Sequence, residues 1–222
     1  MAKTNQKPTE KGQAAGQAIT STEEFLKNNG KVLTWILIAV VAVVAVFIAV
    51  SNWVIKPAKA SAQAETFPAE EYFIAADYES ALNGDGTSLG FADLIAQYGA
   101  KAGKAVYFYA GVCELQLKNY ESAITYLKKY KGKDDILAAR ALACLGDAYV
   151  GTNDLATAIS YYDKAIAKSD NVLAATYMLK AGITAEEMGN NAKALEYYQA
   201  ISDKYPQSLE GMDIDKYIYR IK

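Results

Sequence analysis

The chain has 222 residues, 52% of them hydrophobic, a net charge of −2 and no histidine. Without imidazole, hydrolase triads built on histidine and zinc sites with histidine ligands are impossible. Residues 56–222 carry eighteen basic and twenty-two acidic side chains, which leaves no basic face of the kind phosphate backbones require and excludes nucleic acid as the main partner.

Residues 1–31 are rich in Lys, Gln, Ala, Thr and Gly, and the first twenty have no apolar periodicity. They predict a tail that is largely disordered, with Ser21-Thr22-Glu23-Glu24 offering a helix start capped by Thr22 or Ser21. Residues 32–55 read VLTWILIAVVAVVAVFIAVSNWVI and contain no Asp, Glu, Lys or Arg. As a helix they span about 36 Å, enough to cross a hydrocarbon core of about 30 Å, and a helix satisfies its own backbone hydrogen bonds in lipid. Lys31 and Lys56 bracket the run, Trp35 and Trp53 sit near its ends, where indole rings favour the interface, and Pro57 is expected to stop it. The prediction is a transmembrane helix over 32–55.

A cleaved signal peptide is the rival expectation, with small-residue patterns at Ala58-Lys59-Ala60 and Ala60-Ser61-Ala62. The long charged region before the run and the length of the run both exceed signal dimensions. Lys27 and Lys31 on one side balance Lys56 and Lys59 on the other. Lys3, Lys7 and Lys11 tip the count toward a cytoplasmic N-terminus, with the larger C-terminal part exported.

A linker over 56–64 leads to a degenerate helical pair over 65–100. Pro68 suits the first turn of its first helix, and Phe91, Leu94, Ile95 and Tyr98 follow helical spacing in its second. Between them Asn83-Gly84-Asp85-Gly86-Thr87-Ser88 lacks the spaced carboxylates and final glutamate of a calcium loop and reads as a turn.

Residues 101–207 repeat themselves. Gly111, Gly146 and Gly182 are each followed twelve residues later by Ala123, Ala158 or Ala194, and three residues after that by Tyr126, Tyr161 or Tyr197. Turn formers intervene at Asn119-Tyr120, Asn153-Asp154 and Gly189-Asn190-Asn191. Each unit is two helices whose apolar face only a neighbouring unit can cover, so the units must stack. The pattern resembles the tetratricopeptide repeat, of about 34 residues. Leu142, Leu145-Gly146, Tyr149, Ala158, Tyr162 and Ala165 match it best. Met178, Gly182, Gly189, Ala194, Tyr198 and Pro206 follow in the third unit, and Tyr107, Gly111, Tyr120 and Ala123 in the first, which departs at Leu127 and Tyr130. Residues 208–222 form a C-terminal capping helix, with Ser208 as N-cap and Ile214, Tyr217, Ile218 and Ile221 on one face. The fold class is therefore all-α: one N-terminal transmembrane helix, then an α-solenoid of tetratricopeptide-type hairpins with a capping helix.

The resemblance implies that the first helix of each unit lines a concave, partner-binding surface. It assigns Phe108, Val112, Leu115 and Gln116 from the first unit, Arg140, Ala143, Asp147 and Val150 from the second, and Leu179, Ile183, Glu186 and Glu187 from the third. This mixture suits an apolar helix or extended peptide. Cys113 and Cys144 read as buried small apolar residues, a disulfide between them being the alternative. No phosphate loop, dinucleotide fingerprint or nucleophile elbow occurs, so neither catalysis, cofactor nor metal is expected.

The order of tail, span and exported repeats, with the ending Asp213-Ile214-Asp215-Lys216-Tyr217-Ile218, resembles the ancillary SecYEG translocon subunits of bacterial inner membranes, the YfgM-like family. That resemblance implies a single-pass inner-membrane adaptor with a periplasmic repeat domain, contacting the SecYEG translocon, exported clients or periplasmic chaperones. A structural subunit of another envelope secretion or cell-division assembly is the alternative.

Overall fold

The computed structural model describes the backbone of residues 10–169 and 171–221, and the side chains of residues 27–221 except Ala100 and Asp170. The chain divides into two units, Met1–Pro57 and Ala58–Lys222.

In the first unit, helix α1 runs Glu10–Val50. The expected disorder over 1–31 is therefore corrected over 10–31, while residues 1–9 lie outside the described residues. Glu10, Lys11, Gln13, Ala14, Ala15, Gln17 and Ala18 are strong helix formers, and extending an existing helix avoids the cost of nucleating one. Ser21 and Thr22 consequently lie inside α1 and begin no helix. Among the described residues, one helix is long and apolar enough to cross a membrane, and its apolar window is 0% buried. A π-helical turn, Ser51–Ile55, follows, in which the amide of Lys56 donates to the Ser51 carbonyl. Pro57 was expected to stop the helix. The widened turn just before it relieves the clash between the proline ring and the carbonyl four residues back, so helical backbone persists.

Helix α2 covers Lys56–Ile74, so the expected linker over 56–64 is helical and Pro68 stands inside the helix, not in its first turn. Burial overrides the proline: Ala62 and Ala69 are packed into a cluster with Ala81, Leu82, Phe91, Leu94, Val106 and Cys113. Ala76, with φ of 60°, turns the chain, and the Asp77 carboxylate caps helix α3 (Tyr78–Asn83) by accepting from the Ser80 amide. The following loop is held by Asp85. Its Oδ1 accepts from the amides of Thr87 and Ser88 at 2.8 and 2.7 Å, and its Oδ2 accepts from the Tyr72 hydroxyl at 2.8 Å. Those bonds hold its carboxyl well below the usual carboxylate range. Helix α4 (Phe91–Tyr98) and a 3-10 turn, Gly99–Ala102, complete this part.

Three helical hairpins then stack: α5 (Ala105–Gln116) with α6 (Tyr120–Lys129), α7 (Asp135–Gly151) with α8 (Leu155–Lys168), and α9 (Leu173–Glu187) with α10 (Asn191–Lys204). Each hairpin turns through one left-handed residue, Lys118, Asn153 or Gly189, with φ of 64°, 62° and 75°. The next residue is the N-cap of the second helix. Asp154 and Asn190 accept from the amides of Thr157 and Lys193 at 3.1 Å, satisfying donors the helix start leaves free.

Inside each hairpin a glycine of the first helix receives a large side chain of the second. A Cβ at Gly111 would stand 2.6 Å from Leu127 Cγ, and the rings of Tyr162 and Tyr198 fill the corresponding space at Gly146 and Gly182. Helix α11 (Leu209–Ile221) closes the stack. Ser208 Oγ accepts from the Gly211 amide at 2.9 Å, Ile214 and Ile218 are buried, and Tyr217 packs on Tyr198 with ring centroids 5.3 Å apart.

Candidate partner-binding cleft

The first helices of the hairpins, α5, α7 and α9, line a cavity of about 540 Å³. Helical spacing brings Phe108, Val112, Leu115 and Gln116 to it from α5, and Arg140, Ala143 and Asp147 from α7. These seven expected residues meet there. Ile136, Leu137 and Cys144 join them from α7, Leu173, Thr176, Tyr177 and Lys180 from α9, and Tyr109 and Phe73 from α5 and α2. Phe108, Ala143 and Tyr177 are buried in its floor, while Ile136 and Leu173 remain 57% and 37% exposed on it. At the α2 end, Tyr109 lies 5.0 Å from Phe73, 5.3 Å from Phe91 and 5.7 Å from Phe108 between ring centroids, a rigid aromatic wall.

Five expected residues lie outside the cavity. Val150 and Leu179 pack against the core of the last two hairpins. Ile183 and Glu187 are exposed away from the lining. Glu186 accepts from Arg220 of α11 at 2.7 Å and from the Tyr198 hydroxyl. The N-terminal half of α9 faces the cavity, through Leu173, Thr176, Tyr177 and Lys180, at spacings of three, four and seven. The C-terminal half is engaged by the capping helix.

The last two hairpins share a polar pattern. In each, the tyrosine seated on the glycine donates to a carboxylate of the first helix, and a cation from a later helix completes the group. Tyr162 donates to Asp147 Oδ1 at 2.8 Å, and Lys180 Nζ donates to both Asp147 oxygens at 2.7 Å. Tyr198, Glu186 and Arg220 form the second such group. Burial first, then the neighbouring carboxylate, pushes the Tyr162 and Tyr198 phenols above the usual tyrosine value. The first hairpin has Leu127 in place of the tyrosine and forms no such group.

Cys113 and Cys144 are both free. Burial pushes each thiol up to about 12, so both stay protonated and poorly nucleophilic near neutral pH. Among the described residues no three His, Cys, Asp or Glu side chains are grouped to hold a metal ion. What the cavity offers is shape, apolar area and a few fixed charges.

Two tetratricopeptide-repeat family models match the chain, one over residues 105–134 and one over 137–208. No curated protein matches it. Among the solved structures that are similar, the crystal structure of MamA is 20% identical, covers 69% of this chain and 91% of that chain, and superposes with a TM-score of 0.51. At that identity it shows the fold alone: an all-helical repeat stack. Residues 105–134 and 137–208 of this chain are therefore tetratricopeptide repeats, of the kind that mediate contacts between proteins.

Proposed function

We propose that the chain is a single-pass adaptor of the bacterial inner membrane, anchored by residues 32–55 with its N-terminus cytoplasmic, that holds a partner polypeptide in the cleft between α5, α7 and α9. The observation that carries this is the cleft itself. Three successive repeats present Val112, Leu115, Ile136 and Leu173 to one apolar cavity with an aromatic wall, a surface that the capping helix leaves open. The apolar window of α1, with 0% of it buried, supports the anchor. The ending and organisation resembling YfgM-like proteins favour the translocation machinery, its exported clients and periplasmic chaperones as partners.

Photo-crosslinking from Val112 in native membranes tests the adaptor role. The expected products are translocon subunits together with many exported clients. One stoichiometric product would instead identify a structural subunit of another envelope assembly, and absence of any cleft-dependent product would overturn the role altogether. The anchor is checked separately: full-length mass and resistance to alkaline extraction are expected, whereas a chain shortened at residues 58–62 would show a cleaved signal peptide.

A further inference from the structure

The chain has two arginines. Arg220 is paired with Glu186 at 2.7 Å. Arg140 is exposed, lines the cleft, and forms no ion pair with any carboxylate among the described residues. The other charges lining the cleft, Asp147 and Lys180, neutralise each other at 2.7 Å. One positive charge is therefore left over in a cleft with an apolar floor, on a part of the chain whose acidic residues outnumber its basic ones. Burial raises the Tyr109 and Tyr177 phenols, and the guanidinium is near enough to oppose that rise at both, with Glu70 adding to it at Tyr109. A bidentate guanidinium–carboxylate pair beside these rings, once covered by the apolar side chains of a bound segment, is stronger than one in open solvent.

We infer that the cleft selects a polypeptide segment carrying an internal Asp or Glu side chain, which pairs with Arg140 while apolar side chains on either side of it occupy the walls. The inference rests on the cleft being the partner-binding surface. The acid is internal because Arg140 belongs to α7, the middle of the three lining helices. The walls continue past it onto Val112 of α5 on one side and Leu173 of α9 on the other, so a segment that fills the cleft runs on in both directions.

The test uses the full chain in detergent micelles and a displayed library of random dodecapeptides. Binders enriched in Asp or Glu flanked by apolar residues are expected. One such peptide, with acetyl and amide termini, is then titrated beside an analogue in which the carboxylate is an amide. Arg140→Gln should weaken the acidic peptide about tenfold and leave the amide analogue unchanged, and Arg140→Lys should recover part of the loss. Added salt should weaken only the acidic peptide.

Equal binding of the two peptides, no loss with Arg140→Gln, or binding only when the peptide's terminal carboxylate is free would each overturn the inference. Val112→Asp separates the two levels. If it abolishes binding while Arg140→Gln does not, the cleft stands and its acid selectivity falls. If it leaves binding intact, or if the library yields no binder, both fall. Circular dichroism of each variant establishes that the fold is retained.

Discussion

Gly146 and Gly182 are where single side chains constrain the repeats most tightly. The rings of Tyr162 and Tyr198 occupy the place where a Cβ would stand, and both tyrosines are buried, so the rings cannot swing aside. Gly146→Ala should therefore cost about 1–3 kcal/mol through overpacking, read by urea unfolding followed by circular dichroism. The turn positions make the opposite expectation. Lys118 holds φ of 64°, a conformation that burdens any residue with a Cβ. Lys118→Gly should stabilise the chain by about 0.5–1 kcal/mol, the relief of strain exceeding the entropy glycine adds to the unfolded state. The glycines were legible from spacing alone, because only a residue without a side chain lets two helices approach this closely. The polar groups around Asp147 and Glu186 were not legible. In each the cation lies 33 or 34 residues from its carboxylate, and no local pattern announces which cation will reach which carboxylate.

Helix ends and registers account for the remaining differences from expectation. Helix α11 behaves as an amphipathic strip: Ile214 is 1% exposed and Leu209 is 83% exposed. Ile214→Ala should cost about 2–5 kcal/mol by opening a cavity at the end of the stack, while Leu209→Ala should change the unfolding midpoint little, both read by thermal melts. On α9 the residues that line the cleft, Leu173, Thr176, Tyr177 and Lys180, lie about two helical turns before the expected Leu179, Ile183, Glu186 and Glu187. The family's pattern says which face of a first helix is concave, but where along that face the cleft lies depends on what covers the rest. Here α11 engages the C-terminal half of α9 through Arg220 and Glu186, leaving Leu173 and Tyr177 for the cleft. Accordingly, Leu173→Asp should weaken partner capture with the fold intact, Ile183→Asp should not, and Leu179→Asp should lower stability because Leu179 packs into the core. Phe73 was missed for a related reason: it comes from α2, outside the repeats, and reaches the aromatic wall by packing.

Taken as one body, the repeat-bearing part is fastened by buried tyrosines bonded to carboxylates. Tyr162, Tyr197 and Tyr198 are all held above the ordinary phenol value of 10.0, by burial first. Above that pH the unfolded chain releases these protons and the folded chain keeps them, so the folded state binds more protons and loses stability as pH rises. Their contribution is fully present below about pH 10 and lost progressively above it. The melting temperature should fall between pH 10 and 11.5, and Tyr197→Phe, which removes the bond to Asp163, should flatten that fall. The helical class, the repeat units with their hinge residues, the charge-free apolar run and the closing helix can all be read along the chain. Each rests on periodicity or composition within some 35 residues, where local sterics and burial pattern act directly. The continuation of helix through Pro57 and Pro68, the exact lining of the cleft and the solitary charge of Arg140 depend on groups brought together from distant stretches. Their energies come from packing and pairing, which exist only once the hairpins have stacked.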